Sequence, residues 1–430
     1  MDWFLILLGC IAGYVLLLAY IRTYKPFPRF ITLYGPIIGL KTENVGFFDF
    51  FKRYSGFLRI YGTIGVAMVV IVSVAMVIML VLSVNLTLEL KPEPTSLHKP
   101  QNIFLIPGIN EFVPSTFAVW FAFFLTLVIH EFGHAILCRV EQIAVKSMGV
   151  LLLIIPIGAF VEPDEEEVKK ADSWPRMRMY GAGIMNNIVI GVISFALLVS
   201  LIGFAVPTNE PIVVGLYQNY SASDLNIPTP SIIRTINGES VLTTADVSDK
   251  LNLSRPGDIV QVGFDHKGEF KEYSLNLSPW PEALGARESG FMGVYYYNGQ
   301  GIIDAVQSMF SPLGFFMLLS VPFNPSMEGQ FLRILGFDVA DTSYYHAPFP
   351  GYWELIHLLF WSGFINFAAG LFNALPMIPL DGGYIFKEGT ERLLNRRGLS
   401  KYSDNIVGLV STGMVVLMVA IFVLPYLFHL

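Results

Sequence analysis

Apolar residues fall along this chain in long, nearly unbroken runs. Six reach the roughly 20 residues needed to cross a bilayer: residues 3–21, 61–84, 115–139, 179–206, 353–375 and 404–428. A seventh run, Ile302–Phe323, is interrupted by Ser308, Ser311 and Pro312. A half-buried or interfacial segment is expected there rather than a full span. The first run has its basic residues after it and no small-residue cleavage pattern. It reads as a retained span with its N-terminus outside, not as a signal sequence.

Between the fourth and fifth spans the pattern shortens and begins to alternate. "SIIRTINGESV" predicts a strand, an Asn237-Gly238 turn and a return strand. "TTADVSDKLNL" predicts a short helix with Thr243 or Thr244 as N-cap. "DIVQVGFDHKGEFKEYSLNL" predicts a hairpin turning at Lys267-Gly268. Residues 207–300 therefore read as a small soluble α/β module inserted between spans. The fold class expected is a polytopic α-helical membrane protein of about six transmembrane helices carrying this insert.

Composition agrees: 53% of the 430 residues are hydrophobic and only 14% are charged, too apolar for an ordinary soluble domain. The net charge of −7 is small for this length and offers no argument for a nucleic-acid partner. Cys10 and Cys138 are the only cysteines, which excludes a disulfide framework. The basic residues set the orientation. Segment 22–60 carries Arg22, Lys25, Arg29, Lys41, Lys52, Arg53 and Arg59, whereas 85–114 carries only Lys91 and Lys99. Segments 140–178 and 376–403 are again basic. By the positive-inside rule these three basic segments face the cytosol, and both termini and the insert lie outside. The expected organisation is 1–114, two spans with a cytosolic loop; 115–206 and 353–390, two halves of a core; 207–300, the insert; 301–352, an apolar connection; and 391–430, a loop and the last span.

The chemistry begins at "VIHEFGHAIL", residues 128–137. His130 and His134 are four apart, so on a helix both imidazoles can reach one ion. Glu131 lies about 100° round that helix from His130, free to act on a water without being a ligand. This is the H-E-x-x-H logic of zinc hydrolases, in which zinc acidifies a water and the carboxylate takes its proton. A charged side chain at mid-bilayer costs about 2.5–3.5 kcal/mol on insertion scales. Three ionisable groups within five residues need a compensating partner, and a divalent cation is one. Gly133 leaves room for another helix or a substrate.

A third ligand is still wanted. Leu137 and Val140 rule out a third histidine further along the same helix. Glu162–Glu167 could supply a carboxylate, but that run looks like a solvated loop. The better candidate is in "LFNALPMIPLDGG". Pro376 and Pro379 break the fifth span where irregular backbone must line a cavity. Asp381 follows, then Gly382 and Gly383, which permit close backbone approach.

The pair H-E-F-G-H at 130–134 and N-A-L-P-M-I-P-L-D-G-G at 373–383 resembles the site-2 protease family of intramembrane zinc metalloproteases. The resemblance implies zinc held by His130, His134 and Asp381, with Glu131 as catalytic base. It implies a single-span membrane protein as substrate, cut within the lipid bilayer; the orientation set by the basic segments puts the site near the cytosolic side of the cell membrane. "GIMNN" at 183–187 is similar to the family's Gly-Pro-x-x-Asn motif with Ile184 in place of proline. Asn187, with Asn186 as the alternative, and Asn373 would then contact substrate backbone or the developing oxyanion. The family also implies β-structure for 147–163 at the membrane edge. The insert resembles the second half of a PDZ domain. The competing reading is a proteolytically inactive membrane scaffold or receptor that binds partners through that module.

Overall fold

A computed structural model describes residues 3–285, 287–324, 327–333, 335 and 344–430. The chain forms two compact units, residues 1–191 with 365–430, and residues 192–364.

The first unit starts with helices α1 (Trp3–Tyr24) and α2 (Ser55–Leu90). Between them the chain forms strands β1 (Ile31–Tyr34) and β2 (Ile37–Thr42). Helix α3 (Phe117–Val140) follows, capped by the Thr116 hydroxyl, which accepts from the Val119 N–H. Next come β3 (Val145–Leu153), β4 (Ile155–Pro163), the short α4 (Glu165–Lys170) and α5 (Ser173–Ile202).

The four strands form one antiparallel sheet in the order β1-β2-β3-β4. Leu40 faces Val150 and Val150 faces Ala159, so alternate residues of three strands share one face. α3 packs against β4. There Phe132, Ala135 and Cys138 meet Phe48, Ile143, Val145, Met148 and Val161 in one apolar cluster. Residues 22–60, expected as a plain cytosolic loop, thus supply half of this sheet. The signal was present: "ITLYGPIIGL" is two apolar runs around Gly35-Pro36, and Gly35 adopts φ +63.

The second unit contains β5 (Val206–Pro207), β6 (Ile212–Leu216), α6 (Ser221–Asp224), β7 (Ser231–Ile236), β8 (Glu239–Ser240) and α7 (Thr244–Asn252). β9 (Ile259–His266), β10 (Glu269–Asn276) and β11 (Val294–Tyr297) complete its main sheet. The strand order is β10-β9-β7-β6-β11, with β8 on β7. Inward-facing Val213, Ile233, Val262, Phe264 and Leu275 close over Val247 and Leu251 of α7. Asn237 and Gly238 take positive φ in the turn from β7 to β8, and Lys267 and Gly268 do so between β9 and β10. The apolar run at 302–323 is divided into α8 (Gly299–Gln307), α9 (Pro312–Ser320) and a 3-10 turn at Val321–Phe323. Ser311 caps α9 and Pro312 occupies its first turn. α10 (Met327–Arg333) and β12 (Tyr345–His346), paired with β5, precede α11 (Tyr352–Asn373).

The chain re-enters the first unit at Ile365, within α11, and continues through α12 (Asp381–Asn395) and α13 (Ser403–Phe428). α13 packs beside α2, and α12 contacts both. Five helices among the described residues are long and apolar enough to cross a membrane: α2, α3, α5, α11 and α13. The described apolar part of α1, Leu8–Tyr24, is shorter. α2 and α13 leave Ile71, Val74, Leu409 and Val416 uncovered, the surface a lipid-facing helix requires.

The capping box of α7 yields a test. Thr243 Oγ1 accepts from the Asp246 N–H, and Asp246 accepts from the N–H groups of Leu242 and Thr243. Those backbone donors hold the Asp246 carboxyl below its usual range. A carboxyl with a depressed folded pKa stabilises above its unfolded value, about 4, and loses that contribution as pH falls through the folded one. Thr243→Ala should speed amide exchange across 244–252 about fivefold at neutral pH, the equivalent of about 1 kcal/mol. In the native protein the same amides should become less protected as pH drops below about 4.

Candidate active site

α3 carries His130 and His134 one turn apart on one face. Their rings stand at 81° with centroids 4.7 Å apart, and their Nε2 atoms are 3.1 Å apart. Both Nε2 atoms point at Asp381 Oδ2, at 3.0 Å from His130 and 3.3 Å from His134. The three side chains are only 12–15% exposed. Among the described residues they are the one group of three or more His, Cys, Asp or Glu ligand atoms close enough to share an ion.

The triangle is informative. A tetrahedral zinc ion with ligands at about 2.0–2.1 Å has ligand atoms about 3.3 Å apart. The observed edges of 3.0, 3.1 and 3.3 Å approach that spacing. Asp381 Oδ2 is buried, yet it makes no well-directed hydrogen bond despite two ring nitrogens in reach. A buried carboxylate oxygen left unpaired between two imidazole nitrogens suits a shared cation better than a hydrogen-bond network.

Asp381 owes its place to the irregular segment before it. The chain between α11 and α12 folds back over the first turn of α12. A Cβ on Gly382 would lie 2.3 Å from the Ala374 carbonyl oxygen, and one on Gly383 would lie 2.3 Å from the Met377 carbonyl carbon. Only glycine fits at both positions, which is why "DGG" follows the prolines. Asp381 is the first residue of α12, where the helix dipole favours a carboxylate. Farther along, Glu388 accepts from Arg176 at 2.7 Å, and Tyr384 stacks on Tyr180 at 4.8 Å, fixing α12 to α5.

α5 is the back wall. A Cβ on Gly133 would lie 2.7 Å from the Ala182 carbonyl oxygen, so the glycine of H-E-F-G-H lets α5 approach α3. Asn186 bridges helices: it donates to the Ile129 carbonyl at 3.0 Å and accepts from the Tyr61 hydroxyl at 2.7 Å. Asn187 faces the other way, with Nδ2 3.2 Å from His130 Nδ1. His134 Nδ1 donates to the Met179 carbonyl at 2.8 Å, which leaves its Nε2 lone pair free.

Glu131 extends toward β4, where Oε2 accepts from the Val161 N–H at 2.9 Å. It lines a cleft of about 600 Å³ with Val128, Phe132, Met148, Val150 and Phe160. Glu162, the alternative ligand source, instead accepts from Ser147 Oγ at 2.6 Å. Asn373 is the last residue of α11 and half-buried. The carbonyl of Met179 and the N–H of Val161 carried no sequence signal, because every residue has these groups.

The model of peptidase family M50 matches residues 118–420. This chain belongs to that family. An uncharacterized protein of Methanocaldococcus jannaschii is 25% identical over 367 residues, 85% of this chain and 80% of that protein. The regulator of sigma-W protease RasP of Bacillus subtilis is 25% identical over 235 residues, 52% of each chain. A zinc metalloprotease RasP of Geobacillus kaustophilus is 21% identical over 213 residues, 47% of each. The PDZ domain of an SdrC-like protein from Listeria monocytogenes overlaps 21% of this chain and 90% of its own, at 15% identity and a TM-score of 0.19. The resemblance to site-2 proteases read from the two motifs holds. This M50 peptidase is a multi-pass membrane protein and a zinc metalloprotease.

Gly183 provides the test of the back wall. A Cβ there would lie 2.6 Å from His134 Nε2 and 2.7 Å from His130 Cε1. Gly183→Ala should leave helix content unchanged but lower zinc retained after dialysis about tenfold or more, measured by elemental analysis.

Proposed function

We propose that this M50 peptidase cuts a peptide bond within or near the transmembrane helix of a single-span membrane protein. His130, His134 and Asp381 would hold zinc, and Glu131 would be the base. The observation that carries the reading is the convergence of three ligand atoms beside Glu131, with the two histidines on a helix of membrane-spanning length and composition. Bound zinc supplies Lewis acidity, polarising a peptide carbonyl and making a water more acidic.

The chain's own residues do the rest. Glu131 receives the water's proton on a carboxylate oxygen and delivers it to the leaving amine. Its bond from the Val161 N–H aims the carboxylate. That N–H lies on the side of β4 turned away from β3, and by antiparallel alternation Ala159 presents its N–H and C=O the same way. A substrate helix unwound at the site would find backbone partners along this open edge. Its side chains would rest in the apolar cleft beside Glu131. Asn373 would serve the freed amides or the oxyanion. The charge pattern favours a site at the cytosolic side of the membrane, with the inserted module and both termini outside and six spans in all.

Wild type and Glu131→Gln should be compared on a single-span reporter in proteoliposomes. The substitution should slow cleavage about 10²–10⁴-fold while zinc stays bound. Equal cutting by the two would remove Glu131 from the mechanism, and no cutting by either would return the scaffold reading. Asp381→Ala and His134→Ala should each lower bound zinc; full occupancy in Asp381→Ala would move the third ligand elsewhere, with Glu162 first to examine. A cysteine placed near Asn219 should label from outside intact cells, and labelling only after lysis would invert the orientation.

A further inference from the structure

Three residues of α5 face the histidine pair at intervals of four. Met179 meets His134 through its carbonyl, Gly183 backs both rings, and Asn187 meets His130. They share one face of the helix, two turns from end to end. α3 runs past them in the opposite sense, so the earlier histidine meets the later residue.

The two imidazoles need the same service. For Nε2 to offer a lone pair to a metal, Nδ1 must carry the proton, and a buried N–H must find an acceptor. His134 has the Met179 carbonyl. His130 Nδ1 has the Asn187 amide, 3.2 Å away. Asn187 is 1% exposed, and its Oδ1 is buried without a partner. The two ends of a carboxamide are alike in shape, and hydrogen bonding decides which end faces a neighbour. With Nδ2 toward the ring, His130 must be protonated on Nε2, the atom aimed at His134 and Asp381. With Oδ1 toward the ring, the Nδ1 proton and the stranded acceptor satisfy each other, and Nε2 is freed.

We infer that Asn187 is a positioning residue for zinc: its side-chain oxygen accepts the His130 Nδ1 proton, as the Met179 carbonyl does for His134. The inference rests on the reading of His130 as a ligand. It gives Asn187 a role through the metal site in place of a contact with substrate. Asn186, its neighbour, is already committed to the Ile129 carbonyl and Tyr61, so the two asparagines divide the work.

The test is zinc affinity of the purified full chain in detergent, by competition with a chelator. Asn187→Leu keeps the branched outline, with bulkier ends, and removes the acceptor; Asn187→Ala removes the acceptor without added bulk and covers a leucine variant that fails to fold. Asn187→Asp keeps an acceptor in place. Leucine and alanine should weaken zinc binding about 10–100-fold, and aspartate should restore it to near wild type. At saturating zinc the KM for a single-span reporter should match wild type in the aspartate variant. Wild-type zinc affinity in folded Asn187→Leu or Asn187→Ala, with a raised KM, would overturn the inference and return Asn187 to the substrate. Failure of folded Asn187→Asp to recover affinity would also overturn it. His130→Ala is the control for the underlying reading: undiminished zinc there would show that His130 is not a ligand, a failure distinct from that of Asn187.

Discussion

Ionisable side chains on a helix that must live among apolar neighbours are the constraint from which the rest of this structure follows. His130, Glu131 and His134 cannot be solvated by lipid, and each is costly unless partnered. The fold resolves the cost by bringing Asp381 some 250 positions along the chain to within 3.0–3.3 Å of both imidazoles. A carboxylate among histidines at this spacing is half an explanation, because its Oδ2 remains without a well-directed hydrogen bond. In the proposed reading a zinc ion completes it, consistent with the family to which the chain belongs.

Holding those atoms together requires backbones to come closer than side chains usually allow. Gly133 admits α5 to α3, and Gly382 and Gly383 admit the returning chain to α12. Gly183 keeps the ground behind the rings clear. Interhelical polar ties then set rotation about each helix: Tyr61 to Asn186, Asn186 to Ile129, and Arg176 to Glu388. Small residues for proximity and a few hydrogen bonds for orientation are what helix packing in a membrane can use, since lipid offers no hydrophobic drive between helices.

Under the proposed function the β-sheet answers a different need. A peptide bond in a transmembrane helix is protected by its own backbone hydrogen bonds, so cutting it requires partners for the bonds released. In the proposed mechanism β4 offers an open edge at the depth of Glu131, with the Val161 N–H already engaged by that carboxylate. Glu131 and the edge strand are thus tied together, and in that mechanism the apolar cleft they line would take the side chains of a membrane helix.

Much of this was legible in the chain. Hydrophobic runs placed the ends of the long helices to within about six residues, since a helix satisfies its backbone hydrogen bonds internally wherever water is absent. "HEFGH" and "PLDGG" stood out locally, because the spacing of two histidines on a helix and a proline-broken, glycine-rich return are short-range properties. Tertiary structure alone decided which groups those motifs would meet. That residues 31–42 join β3, that Asn186 braces helices while Asn187 faces a ring nitrogen, and that a Met179 carbonyl holds His134 depend on helix rotation and register between distant segments. Backbone donors and acceptors look identical at every position, so only the fold could select the ones that orient this site.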